Sequence, residues 1–343
     1  MRVAIDSTPL TVSSGGIPRY TSALSKALAA NFPEDEFLYL TDQGNPALNK
    51  LERRWWAYGL PKQLRKLKID VFHGTDFAVP YLPVCPAVMT VHDLSPWMNP
   101  AWHDGAGRVR RRTPVLLKLG LATMVITDCE AVRREVIERF RLPAERVVAI
   151  PLAADENFQP VDSPGSDPYF LFVGTLEPRK NIPFVIEAWR RLYQEIPVKL
   201  VLAGRRRTDC PSIESHPGLE ISGEVPDTAL PGLYSGALAV VYPSLYEGFG
   251  LPVLEAMACG APVIASRDAA LMELAGGAVM HCDAEDAGQW VDAMRTMILD
   301  KNHRLHLQQA GLRRASEFSW RRTAILTHEV YAEAMARFRR RGA

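Results

Sequence analysis

Residues able to do chemistry are concentrated in three loop-like stretches. The most distinctive reads Pro243-Ser-Leu-Tyr246-Glu247-Gly248-Phe249-Gly250-Leu251-Pro252-Val-Leu-Glu255. Gly248 and Gly250 bare the backbone beside one carboxylate, and Pro252 starts a helix that carries a second. Glu247 and Glu255, eight residues apart, can accept hydrogen bonds from the hydroxyls of one ligand. A bare diphosphate would repel them, so sugar rings suit them better. The plainer alternative is a capped helix with a salt-bridged Glu.

A second stretch, Val173-Gly174-Thr175-Leu176-Glu177-Pro178-Arg179-Lys180-Asn181, sets two adjacent cations where a helix begins. Cations there oppose the helix macrodipole, which calls for an anion nearby. Arg offers a planar fork and Lys a point charge, a combination suited to neutralising a leaving diphosphate. A solvated helix start is the alternative. The third stretch, Asp6 to Tyr20, contains Gly15-Gly16 followed by Pro18, a strand end leading into a helix start. Adjacent glycines permit close backbone approach and free N–H groups attract a phosphate. A plain turn fits that stretch as well, because G-x-G-x-x-G is absent.

His92 and His73 each end an apolar run. His92 suits a positioning donor, giving a hydrogen from one nitrogen while the other is oriented. A structural histidine is the alternative. Asp93 follows it and either faces a ligand or caps the next loop.

These residues need a scaffold, and the composition allows one. With 343 residues, 47% of them hydrophobic, the chain can bury sizeable cores and divides into about two domains. Forty Lys plus Arg against 39 Asp plus Glu gives +1, which argues against a general grip on nucleic acid. Five scattered cysteines, without a C-x-x-C pair, indicate neither a disulfide framework nor a zinc site. The first residues read as a strand and a Gly turn rather than a signal peptide. No apolar run is long enough to span a bilayer, so a cytoplasmic protein is expected.

Short β-branched runs alternate with helix-period segments, the signature of βα units and parallel sheets. Strands are predicted over 3–6, 37–40, 71–73, 88–92, 124–127 and 147–150, then 169–173, 199–203, 239–242, 263–265 and 278–280. QPVDSPGSDP, residues 159–168, reads as a linker. The fold class is therefore α/β, with two doubly wound Rossmann-like domains facing across a cleft. The expected division is 1–158, the linker, 169–318, and a terminal helix over 319–343.

With these residues in place, the chain resembles the retaining, GT-B-fold glycosyltransferases of family 4, in particular bacterial mannosyltransferase-like members. The resemblance runs through Gly15-Gly16, His73-Gly74, Val91-His92-Asp93, the Gly174 to Asn181 segment, Leu202-Ala-Gly204 and Glu247-x7-Glu255. It implies that Arg179 and Lys180 hold the diphosphate of a nucleotide sugar donor and that Glu255 binds its ribose. Glu247 would bind sugar hydroxyls and His92 the donor sugar. Gly15, Gly16, Gly174, Gly204, Gly248, Phe249, Gly250 and Leu251 would line the donor, with Asp93 on the acceptor side and His73 either there or one layer behind the residues that touch ligand. The terminal helix would cross back onto the first domain, bringing Arg339 to Arg341 with it. Departures are Pro18, where a small residue is usual, and Arg205-Arg206-Arg207 after Gly204.

The resemblance implies transfer of a sugar, with mannose from GDP-mannose as the expected case, to a hydroxyl of a glycan or lipid-linked glycan, with retention. The departing phosphate oxygen would help deprotonate the acceptor, and closure about the linker would expel water. A catalytically silent binding subunit, an epimerase and a phosphorylase are the alternatives. No D-x-D sequence occurs, so the two cations are expected to replace a divalent metal and no cofactor is required. Lys180→Ala is expected to cut turnover with little change in melting temperature. Between Lys50 and Lys118, twelve basic residues face five acidic ones, with Trp55, Trp56 and Tyr58 among them. This predicts contact with an anionic membrane surface on the inner face, with ordinary solvated helix faces as the alternative.

Overall fold

The computed structural model describes residues 1–11, 15–43, 47–162 and 167–342. Val12 to Ser14 of the first glycine stretch and residues 163–166 of the expected linker lie outside the described residues. The chain divides into two units: Met1–Leu152 with Ser319–Ala343, and Ala153–Phe318.

The first unit contains β1 (Arg2–Asp6), α1 (Gly16–Asn31), β2 (Glu36–Leu40), α2 (Leu60–Lys66), β3 (Val71–Gly74), β4 (Ala87–Val91), α3 (Ser95–Met98), α4 (Gly107–Lys118), β5 (Met124–Thr127), α5 (Glu130–Phe140) and β6 (Val147–Ala149). Its six strands form one parallel sheet in the order β2-β1-β3-β4-β5-β6. β3, β4 and β5 are buried along their whole length, as parallel strands covered on both faces must be. The order reverses at β1, so the loops after β1 and β3 open at a switch point, where doubly wound sheets bind ligands.

The second unit contains β7 (Tyr169–Val173), α6 (Ile182–Tyr193), β8 (Lys199–Ala203), β9 (Leu219–Gly223), α7 (Leu230–Gly236), β10 (Ala239–Tyr242), α8 (Leu251–Ala258), β11 (Val263–Ser266), α9 (Ala269–Ala275), β12 (Met280–Cys282), α10 (Ala287–Leu299) and α11 (Lys301–Ala315). Its sheet order is β12-β11-β10-β7-β8-β9, all parallel. Here the reversal lies between β7 and β10. The loops that follow those strands are the Gly174 to Asn181 and Pro243 to Gly250 segments. Topology therefore brings the two richest motifs to one edge.

β9 is absent from the sequence reading because it is a largely exposed edge strand, Leu-Glu-Ile-Ser-Gly, without an apolar run. β12 falls two residues later than the predicted 278–280, because a tight turn occupies Gly276–Ala278. The final helix, α12 (Trp320–Gly342), packs against α1 and against β3, β4 and β5. Among the described residues, no helix is long and apolar enough to cross a membrane.

Candidate active site

In the second unit, the loops after β7 and β10 meet as a chain of buried ion pairs. Glu247 is the hub. Its Oε2 lies 3.1 Å from Arg179 Nη1 and its Oε1 2.5 Å from Lys180 Nζ, which also donates to Tyr242 Oη at 2.7 Å. Arg179 further donates to the Tyr246 carbonyl and pairs with Glu177 at 2.9 Å; Glu177 in turn pairs with Arg207 at 2.6 Å. Burial works against the Glu247 carboxylate, but Lys180 and Arg179 outweigh it and hold the group down at about 2. Glu247 is therefore ionised throughout the neutral range, while burial lowers the Lys180 ammonium from its usual value against the pull of Glu247.

Local backbone chemistry fixes this arrangement. Pro178–Lys180 form a tight turn and Asn181 adopts φ 56, a left-handed conformation that Asn tolerates, before α6 begins. Leu245 N–H donates to the Arg179 carbonyl at 2.9 Å, tying the two loops together. Gly250 caps α8 at φ 100, where an added Cβ would come within 2.4 Å of Leu271 Cδ2. Gly204, at φ 149, packs so closely that a Cβ would lie 1.9 Å from the Gly174 carbonyl oxygen. Gly248 and Phe249 are buried, with the Phe249 ring edge-on to Phe318 at 6.0 Å, and Leu251 is half-buried.

The predicted residues thus group unequally. Arg179, Lys180 and Glu247 come together. Both Glu247 oxygens already hold a cation, leaving only their remaining lone pairs to a sugar. Glu255 sits on the buried face of α8, 2% exposed, and accepts from Tyr234 Oη at 3.0 Å. Glu177 and Arg207 were not singled out for this cluster, although the run of three arginines was a visible anomaly. Asp268 was also missed. Capping α9, it accepts from the Glu247 backbone N–H, and burial pushes its carboxyl up to about 6.

In the first unit, His92 follows β4. Its Nδ1 lies 2.8 Å from Asp128 Oδ2 and its Nε2 donates to the Thr75 carbonyl at 2.9 Å. This corrects the expectation of one nitrogen left over for a ligand, since both are committed within the protein. Asp128 and Thr75, each one loop away, carried no sequence signal. His73 takes the inner of the two positions expected for it, behind the residues that could touch a ligand. It is wholly buried, bonded through Nδ1 to Tyr331 Oη and through Nε2 to Thr90 Oγ1, each at 2.8 Å. Both of its ring nitrogens are thus committed within the protein. Burial, reinforced by His92, lowers its imidazole to about 3 and keeps it neutral.

Asp93 accepts from Ser95 N–H at 2.9 Å and from Ser95 Oγ at 2.6 Å, the capping alternative. Gly15 precedes α1 at φ 155, and Gly16 has open space where a Cβ would stand.

The basic surface is partly corrected. Trp55 is core at 3% exposure, and Trp56 is half-buried between Phe72 and the Arg112 guanidinium. Tyr58 is exposed and joins Leu51, Leu82, Lys62 and Arg65 around a groove of about 310 Å³. At the other end of the chain, the Arg341 side chain lies outside the described residues.

Comparison with known proteins adds the family. The family model described as "Glycosyltransferase Family 4" matches residues 14–158, and that described as "Glycosyl transferases group 1" matches residues 153–314. O-antigen chain mannosyltransferase B of Escherichia coli is 34% identical over 304 residues, covering 81% of this chain and 77% of that protein. Serotype-specific mannosyltransferase WbdA of Escherichia coli is 28% identical over 281 residues, which is 75% of this chain but 34% of WbdA. Among solved structures, Anabaena HepE in complex with UDP and glucose superposes with a TM-score of 0.74 at 18% identity, covering 96% of this chain and 99% of HepE. That likeness establishes the shared fold.

Proposed function

This chain is a glycosyltransferase of family 4, and from that premise we propose that it transfers mannose from GDP-mannose to a hydroxyl of a bacterial surface glycan, with retention and without a metal. The observation that carries the reading is the Glu247–Arg179–Lys180 cluster at the switch point between β7 and β10. Two cations gathered on glycine-bearing loops are the group needed where a diphosphate departs, and their charge takes the place of a divalent ion. The similarity to O-antigen chain mannosyltransferase B and to serotype-specific mannosyltransferase WbdA, both of E. coli, supports mannose, and the first supports a surface polysaccharide.

The chemistry follows from those groups. The bond between the anomeric carbon and the diphosphate oxygen breaks as the acceptor oxygen bonds to the same face of that carbon. The acceptor proton passes to the departing phosphate oxygen. Arg179 and Lys180 stabilise the charge that develops on the diphosphate. Glu247 holds both cations in place, Glu255 takes the ribose, and His92 faces the donor sugar. The glycine loops at Gly15-Gly16 and Gly174 let the backbone approach it, and Gly204 packs directly beneath Gly174.

A lipid-linked acceptor on the cytoplasmic membrane face completes the reading. It is supported by exposed Tyr58, Leu51 and Leu82 beside Arg65 and the Lys62–Glu52 ion pair, apolar side chains at the edge of a basic stretch. The test is a thermal-shift and transfer assay of the full chain with GDP-mannose and UDP-glucose, with and without chelator. GDP-mannose alone should raise the melting temperature and yield an α-mannosyl product in chelator. A shift only with UDP-glucose, or transfer only with added metal, would overturn the donor or the metal assignment respectively.

A further inference from the structure

Every polar atom within hydrogen-bonding distance of the His92 ring is an acceptor. The Thr75 carbonyl has no hydrogen to give, so Nε2 at 2.9 Å must carry one. Nδ1 faces Asp128 Oδ2 at 2.8 Å. The neighbouring Tyr20 meets the ring edge-on at 4.8 Å between centroids, and its hydroxyl is turned to Thr90 Oγ1. One proton is therefore shared between Nδ1 and Oδ2; placed on the ring, it leaves an imidazolium beside a carboxylate.

A second observation concerns Asp128 itself. It is 3% exposed, and among the described residues its Oδ1 has no hydrogen-bond partner. A buried carboxylate with one unserved oxygen is costly, and a histidine needed only for packing requires no such partner.

We propose that Asp128 is a positioning residue that keeps His92 protonated on both ring nitrogens, so that His92 acts on the donor as a fixed positive charge and exchanges no proton during transfer. The proposal rests on the reading of His92 as a donor-facing group. Burial pushes the Asp128 carboxyl up and His92 draws it back down, while the other charges around the ring favour the proton on His92. Asp76, on the loop after β3, adds a negative charge facing the ring and is itself balanced by Arg112 of α4. Asp93, on the His92 loop, is turned to Ser95, and His73 on β3 stays neutral. Burial disfavours the charged ring, yet Asp128, Asp76 and the Thr75 carbonyl together push the His92 imidazole up to about 9.

The experiment is a pH titration of full-length protein labelled with ¹⁵N-histidine, the His92 signals being assigned from the His92→Gln variant. Both His92 nitrogens should carry protons at about pH 7.5, with a midpoint near 9. Asp128→Asn retains an acceptor for Nδ1–H but not the charge, so the midpoint should fall by about 1 to 3 units. Turnover of that variant should then decline as pH rises through neutrality and recover near pH 6, while the unaltered enzyme stays level. An unprotonated nitrogen at about pH 7.5 in the unaltered protein would overturn the proposal without any variant. A shifted midpoint with a level pH profile in Asp128→Asn would overturn the use of the charge. Full activity in His92→Gln would instead remove the donor-facing reading of His92, a separate failure.

Discussion

The two units bring charge to the carboxyl edge of a parallel sheet by different means. The second unit gathers permanent cations: Arg179 and Arg207 stay charged at any ordinary pH, and Glu247 remains ionised down to about 2. The first unit relies on two histidines driven in opposite directions, His92 to about 9 by carboxylates and His73 to about 3 by burial. The Arg179–Glu247–Arg207 charges of one edge thus persist across the ordinary pH range, with Asp268 at about 6 beside them, and the other edge is built from titrating groups. A site that must neutralise a diphosphate in every cycle gains from the first arrangement. A site that orients a neutral sugar ring needs only one well-placed charge.

The largest effect that can break this comparison lies in the second unit. Lys180→Met keeps the side-chain stem and removes the charge, and should lower turnover by about 10² to 10³. The same change leaves Glu247 with Arg179 alone and Tyr242 without its donor, so the expectation of an unchanged melting temperature for loss of Lys180 is not retained. Breaking a buried pair costs about 3 to 5 kcal/mol when no second partner remains; with Arg179 present, a smaller loss is expected. Differential scanning calorimetry beside initial rates checks both, and an unaltered rate would remove Lys180 from the diphosphate site.

An intermediate effect belongs to His73. Its folded value of about 3 lies below the usual 6.5, so its contribution to stability is complete above 6.5 and is lost as pH falls toward 3. His92 has the opposite sign: its contribution is complete below 6.5 and is lost as pH rises through about 9. His73→Gln can still bond Thr90 and Tyr331 but does not titrate. At pH 5 it should spare about 2 kcal/mol that the unaltered protein loses relative to neutral pH. Denaturant melts at pH 7 and pH 5 measure this; equal pH dependence in both proteins would refute it.

How far the sequence carries the reader follows the same division. In the second unit the signals are contiguous: glycines, cations and carboxylates stand within single loops, and topology had only to bring the loops after β7 and β10 together. Arg207 escaped because its partner Glu177 lies thirty residues away, on a loop after a different strand. In the first unit the partners of His92 come from the loops after β3 and β5, and a main-chain carbonyl such as that of Thr75 has no side-chain signature. The central strands of both sheets were legible because buried parallel strands must be apolar throughout, and the half-exposed edge strand β2 was legible because it keeps the apolar run Phe37-Leu-Tyr-Leu40. β9 was not, because this exposed edge strand has no such run.

The smallest expected effect is also the sharpest comparison, because the two units use their glycines differently. Gly204 is consumed by packing: its φ is 149 and a Cβ would meet the Gly174 carbonyl at 1.9 Å, backbone that no rotamer change can move. Gly204→Ala should therefore destabilise by about 1 to 3 kcal/mol through strain alone. Gly16 begins α1 with nothing within 4 Å of an added Cβ. Gly16→Ala should leave stability unchanged or raise it slightly, since alanine is the better helix former. If that loop approaches the donor, the methyl group intrudes on the ligand rather than on the protein, and KM for the nucleotide sugar rises while the melting temperature holds. Unchanged KM and kcat in Gly16→Ala would show that this glycine serves only the turn, and would remove the Gly16 backbone from the donor site.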